Sequence, residues 1–216
     1  MKNLLIFTAH ADNDVPPPYV YHLLENIQAS CHIVKTIFVW TGPELSTTAK
    51  ALLGDENIEI LHRENIGFDF ASIKQVLRDG ALDEDDYDGV FIANDSVYGP
   101  FNDLKTATKG HQQFDLWGVS DSWQGTYHLQ TYFIYIRRSA FQTLQDFFSQ
   151  YIEYTRHSDI VQHGEKKLTE WFMARGKVVG CNFPAEILIA HHIKTLPFSK
   201  RIFLSLAKRL FPSIKR

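Results

Sequence analysis

Cysteine is almost missing from this 216-residue chain: Cys31 and Cys181 stand alone, with no second cysteine and no CxxC spacing near either. That excludes a disulfide scaffold and a structural zinc site, and it predicts a reduced, cytoplasmic setting. Long hydrophobic runs are missing too. No stretch approaches the roughly 18 apolar residues of a membrane-spanning helix, and the N-terminal run Leu4–Phe7 is too short for the core of a signal peptide. We therefore expect neither. Acid is missing from one end: residues 1–193 hold all 25 acidic residues against 15 Lys and Arg, a net −10, whereas residues 194–216 hold seven bases and no acid, a net +7. The formal total of −3 hides this split, which predicts a folded body at 1–193 and a basic appendage at 194–216. An acidic body repels phosphates, so nucleic acid is not an expected partner.

The chain does hold the material of a packed domain, 44% hydrophobic and 13% aromatic. Short apolar runs at Lys2–Ala9, Val34–Trp40, Ile58–Leu61 and Val90–Ala93 read as strands covered on both faces. Between them, helical periodicity predicts helices over about Pro18–Ser30, Thr47–Leu53 and from Asp69 onward, the first led in by Pro16–Pro18. Alternation at this spacing predicts parallel βαβ units, an α/β fold with a mainly parallel central sheet. Farther on we expect a short helix at Asn102–Lys109, strands at Phe114–Val119 and His128–Ile136, helices at Arg137–Tyr154 and Asp159–Arg175, and a late strand at Lys177–Gly180. The acidic stretch Asp79–Asp88 lacks the glycine and terminal glutamate of a calcium loop and reads as a solvated turn. His191 and His192 have no carboxylate or cysteine at ligand spacing and read as surface or core.

Polar residues gather where strands end. Asn94, Asp95 and Ser96 stop the central strand abruptly, at the end where open α/β sheets bind ligands. Asp95 reads equally well as an Asx-turn bonding its own backbone. His10, Asp12, Asn13 and Asp14 follow the first strand and face a ligand or plain solvent. Asn65-Ile66-Gly67 turns into a helix near Asp69, where Gly67 permits positive φ and close approach. Asp69 can cap that helix, and a free helix start can take a phosphate. Period two puts His128 and Gln130 on one strand face, as a polar edge or as a pair lining an acceptor cleft, and Trp123 lies in the preceding polar and aromatic loop.

The stretches ENIGFDFASIKQVL (64–77), YDGVFIANDSVYGPF (87–101) and DLWGVSDS followed by HLQTYF (115–133) resemble the rhamnan synthesis protein F family of bacterial polysaccharide glycosyltransferases. The similarity spans roughly residues 3–190. It implies a GT-A-like nucleotide-diphospho-sugar transferase fold, with a nucleotide-binding part joined to an acceptor-binding part. It implies transfer of a sugar, a deoxyhexose such as rhamnose, from a nucleotide-diphosphate donor to a growing cell-surface polysaccharide, with inversion. In that likeness Asn65 and Gly67 lie against the nucleotide, and Asp95 matches the carboxylate region that holds a divalent metal, Mg or Mn, on the diphosphate. The usual DxD is Asn94-Asp95-Ser96 here, a single carboxylate, which puts metal dependence in question. Glu165 stands where such enzymes place the base, and Asp121 is the rival. The chemistry needs stabilised leaving-group charge and one carboxylate to take the acceptor's proton.

A different class of function remains open: a non-catalytic nucleotide-sugar or glycan-binding scaffold in a polysaccharide-assembly complex, favoured by the missing DxD carboxylate. In the tail, a helix from Ser199 would carry Ile202, Phe203, Leu206 and Leu210 on one stripe flanked by Lys200, Arg201, Lys208 and Arg209. It would dock on the acidic body or lie on an anionic membrane surface, where the family resemblance implies lipid-linked acceptors. The second choice places the protein peripherally at the inner face of the plasma membrane.

Overall fold

A computed structural model describes residues 1–101 and 103–187 of the chain. Strands β1 (Asn3–Ala9), β2 (Ile33–Trp40), β3 (Ile58–His62) and β4 (Gly89–Asn94) run parallel in the order β3-β2-β1-β4. Helices α1 (Pro18–Ser30), α2 (Thr47–Leu52) and α3 (Phe68–Arg78) connect them. Every residue of β1 and β4 is buried, because each strand alternates between two apolar layers. Leu4, Ile6, Val90 and Ile92 face one layer; Leu5, Phe7, Phe91 and Ala93 face the other. The second layer also holds the inner stripe of α1, Val20, Leu23, Leu24 and Ile27, and the stacked rings of Phe7 and Phe38, 5.8 Å apart.

Beyond β4 the sheet changes polarity. β7 (Phe133–Arg137) pairs antiparallel with β4, β5 (Leu116–Ser122) antiparallel with β7, and β8 (Val179–Phe183) parallel with β5. Helices α3 and α5 (Phe141–Gln150) and then α7 (Lys166–Ala174) close the first layer, through Phe70, Phe148, Leu168 and Phe172. Short helical turns α4 (Leu104–Ala107) and α6 (His157–Ile160) complete the chain order, and α6 runs into α7 through a π-helical turn at Val161–Glu165. The expected helix at Asp159–Arg175 is therefore present but interrupted. The expected helix at Arg137–Tyr154 is shorter, its first turn being a 3₁₀ turn at Arg138–Ala140.

Two expectations need correcting. The strand at His128–Ile136 is broken: His128–Leu129 (β6) pairs with the end of β5, whereas β7 lies between β4 and the start of β5. One straight strand cannot serve both partners, so the chain steps sideways at Gln130–Tyr132. Leu129 consequently packs with Ile134 in the first layer, opposite Phe133. His128 and Gln130 are thus no same-face pair; His128 is buried and Gln130 exposed. Asp121, read as a loop residue, lies inside β5, because its polar stretch is paired with both β6 and β8. The basic tail and the His191-His192 pair lie outside the described residues.

Candidate functional site

The C-terminal ends of β1, β2 and β4 are stitched into one ledge. Thr41 N–H donates to Ala9 O at 3.0 Å, and Asp95 N–H donates to Thr8 O at 3.2 Å. The His10 backbone N–H donates to Asp95 Oδ2 at 2.9 Å, while the His10 ring meets Thr41 O at 3.1 Å. The Asx-turn expected of Asp95 belongs to its neighbour: Asn94 Oδ1 accepts from Ser96 N–H at 3.0 Å. Asp95 is therefore held by another strand's backbone, one oxygen engaged. Burial pushes its carboxyl above the usual range, opposed by the His10 and own backbone N–H groups. Tyr19 and Tyr98, rings 4.3 Å apart, stand beside it, and burial, then the Asp95 charge, raises the Tyr19 hydroxyl.

Asp69 enters from the start of α3. It does not cap its helix; the Asn94 side-chain amide donates to Asp69 Oδ2 instead. The reason is the turn before it, where Gly67 takes φ +78° and Phe68 takes φ +51°, a left-handed pair that re-aims the chain. Arg63 locks that turn, donating through Nη2 to Ile66 O at 2.9 Å, through Nη1 to Ser72 Oγ at 3.1 Å and through Nε to Gln75 Oε1 at 3.1 Å. Burial pushes the Asp69 carboxyl up to about 6; the Asn94 amide opposes that, the nearby charges of Asp95 and Glu165 add to it, and His157 opposes it.

Glu165 comes from the π-helical turn in the same layer as α3. Thr131 Oγ donates to its Oε1 at 3.0 Å. Gly164 beside it lies against the Phe70 ring, which a Cβ would approach to 3.0 Å, so α3 and the turn meet here only because position 164 is glycine. Three carboxylates from three elements, Asp69, Asp95 and Glu165, thus share one end of the sheet. Among the described residues no Lys or Arg forms an ion pair with any of them, and no group of three or more His, Cys, Asp or Glu is set to hold a metal by itself.

The other expected site residues fall elsewhere. Asn65 and Ser96 are exposed at the rim. Asp121 is buried and accepts Ala185 N–H at 2.6 Å, pinning the segment after β8. His128 Nδ1 bonds Thr126 O at 2.8 Å, inside the protein. Trp123 packs its exposed ring on Tyr127, centroids 5.0 Å apart, in an open groove of about 660 Å³ with Met173, Lys177 and Val179. Thr131, Arg63, Tyr19 and His157 carry no motif that would single them out from sequence.

A ledge at the C-terminal ends of parallel strands, continued by an antiparallel half, defines the class: the nucleotide-diphospho-sugar transferase fold. A protein described as a nucleotide-diphospho-sugar transferase from Desulfovibrio desulfuricans G20 superimposes with a TM-score of 0.53 at 15% identity, covering 84% of this chain and 80% of that one. The 4-diphosphocytidyl-2C-methyl-D-erythritol synthase of Anaerococcus prevotii gives 0.56 at 14% identity, covering 84% and 86%. No curated protein matches in sequence. Residues 37–215 match the model of the family described as rhamnan synthesis protein F, and the chain belongs to that family.

Proposed function

We propose that the protein is a glycosyltransferase that moves a sugar, a deoxyhexose such as rhamnose, from a nucleotide-diphosphate donor to a growing cell-surface glycan, with inversion. The observation that carries this is the carboxylate set at the strand ends, Asp69, Asp95 and Glu165 brought together from three elements; we assign the first two to the donor and Glu165 to the acceptor. The family membership supports a polysaccharide product, and the fold supports the donor class.

Glu165 takes the proton of the acceptor hydroxyl as that oxygen attacks the anomeric carbon; the bond from that carbon to the diphosphate breaks, and the diphosphate leaves with the electron pair. One base on the face opposite the leaving group gives inversion. Asp69 and Asp95, without a basic partner among the described residues, would repel a diphosphate unless a cation intervened. They fit Mg or Mn in the manner usual for Mg, one or two carboxylates with substrate phosphates and water supplying the rest. Such an ion would offset the diphosphate's charge as it leaves. Asp69 would then supply the carboxylate that Asn94-Asp95-Ser96 lacks, which weakens the scaffold reading. Asn65, Gly67 and Ser96 line the donor rim, and Trp123 belongs to the acceptor side.

We further propose a lipid-linked or polymeric acceptor and attachment of residues 194–216 to the anionic inner face of the plasma membrane. Among the described residues no helix is long and apolar enough to cross a membrane. The test of the enzyme reading is a thermal-shift panel of dTDP-, UDP- and GDP-sugars with and without Mg, followed by donor turnover. Stabilisation by one nucleotide class, with turnover lost in Glu165→Gln, is the expected result. A protein that binds no donor and turns none over refutes it.

A further inference from the structure

The three residues between β6 and β7, Gln130–Tyr132, touch both sides of the carboxylate set. Tyr132 O accepts the Asn94 backbone N–H at 3.1 Å, so this linker supports the turn that aims Asn94 and Asp95. Thr131, its middle residue, is 7% exposed and spends its hydroxyl proton on Glu165 Oε1 at 3.0 Å. The linker is itself clamped: Ser120 Oγ meets Gln130 Oε1 at 2.8 Å and Tyr132 OH at 2.7 Å, and Gln130 N–H donates to Ser120 O at 3.1 Å. One residue earlier, Leu129 N–H donates to Thr169 Oγ at 3.0 Å, tying the strand to the first turn of α7 directly after Glu165.

We propose that Thr131 is the positioning residue for the base, and that the linker Gln130–Tyr132 fixes Glu165 relative to the donor-side turn. This rests on Glu165 being the base. A buried hydroxyl that donates to one carboxylate oxygen fixes the plane of the carboxylate, leaving the second oxygen for the acceptor's proton. The sideways step that breaks the expected strand is what brings Thr131 there: on a continuous strand, residue 131 would sit above Leu129 and below Phe133 in a straight row. A glutamate has three rotatable side-chain bonds, and without a donor its carboxylate samples positions that cannot reach the acceptor hydroxyl. Binding of the nucleotide, on the ledge of β1, β2 and β4, does not involve Thr131.

The pair Thr131→Val and Thr131→Ser separates this role from packing. Valine keeps the shape and removes the donor; serine keeps the donor and removes a methyl. With the full chain and the nucleotide sugar identified by the thermal-shift panel, Thr131→Val is expected to lower kcat about 10- to 100-fold with donor KM unchanged, the scale of misplacing a reacting group. Thr131→Ser should recover most of it, and adding Thr131→Val to Glu165→Gln should cost nothing further. Equal loss in the valine and serine variants, or a loss confined to KM, overturns the positioning role while leaving the base intact. A wild-type kcat in Thr131→Val also overturns it. If Glu165→Gln itself retains full turnover, the base assignment and this inference fall together. Melting temperatures of both variants near wild type exclude misfolding as the cause; if the valine variant melts early, the serine variant alone decides, and a large kcat loss there refutes the role.

Discussion

Asp69→Asn should make the free protein more stable and the enzyme inactive, and pH should reveal why. The folded chain holds the Asp69 carboxyl at about 6 instead of 3.8, chiefly through burial. A carboxylate raised in the native state costs stability wherever it is ionised: the cost is complete above the folded value and disappears below the unfolded one. From 3.8 to about 6 the cost amounts to about 3 kcal/mol at pH 8. The same linkage leaves roughly half of it at pH 5. Asparagine is nearly isosteric, removes the charge, and keeps an oxygen to accept from the Asn94 amide. Allowing for water reaching a site at the open end of the sheet, a gain of about 1–2 kcal/mol at pH 8 is realistic. The assay is urea unfolding of both proteins at pH 8 and pH 5 without added metal, and then the same measurement in Mg. We expect the variant's advantage at pH 8 to shrink by about half at pH 5, and Mg with the bound nucleotide to stabilise the wild type alone. A variant less stable at pH 8, or one whose advantage ignores pH, refutes the account of Asp69 as a carboxylate stored at a cost for ligand binding.

Asp95→Asn keeps the bond from the His10 backbone and loses the charge, so donor turnover should fall about 10²-fold with the melting temperature little changed; near-normal turnover, with or without chelator, would remove it from the donor site. Asp121→Asn should leave kcat near wild type and show its effect in protection of the segment at Ala185, because its carboxylate is spent on that backbone N–H; a kcat loss like that of Glu165→Gln, measured alongside hydrogen exchange, would exchange the two roles. Truncation after Thr195 should abolish co-sedimentation with anionic vesicles at low salt, since it removes all but one of the tail's seven bases; equal binding by both forms would disprove the tail as the anchor.

Legibility in the sequence tracked the strength of the local pattern. Helix α1 is bounded at Pro18 and Ser30, because the prolines fix its start and four apolar residues define its stripe. The β1–β4 half is readable for the same reason: runs such as LLIF and VFIA fit only strands buried on both faces. The step at Gln130–Tyr132 is invisible. No glycine or proline marks it, and the apolar alternation runs straight through it; pairing with β4 and β5, two distant segments, decides it. Asp69 reads as a cap because its partner Asn94 lies 25 residues away. Asp95 and Glu165 stand out through their motif contexts, whereas Thr131 and Arg63, supports of Glu165 and of the turn, look like ordinary polar residues until their partners are known.

The π-helical turn at Val161–Glu165 also has a meaning in helical phase. Ile160, Gly164, Leu168 and Phe172 are all buried, a strict four-residue spacing. In a regular α-helix each such step overshoots a full turn by about 40°, so three steps would carry the stripe about 120° round the axis. A wider turn takes back part of that drift, and it does so immediately before Lys166, which leaves Glu165 on the side of Thr131 and Asp69. Inserting one residue between Glu165 and Leu168 would preserve the composition of the site and turn Glu165 by about 100° against the buried face of α7. The carboxylate would remain in the chain and lose its address, because its place is specified by a residue count as much as by its chemical type.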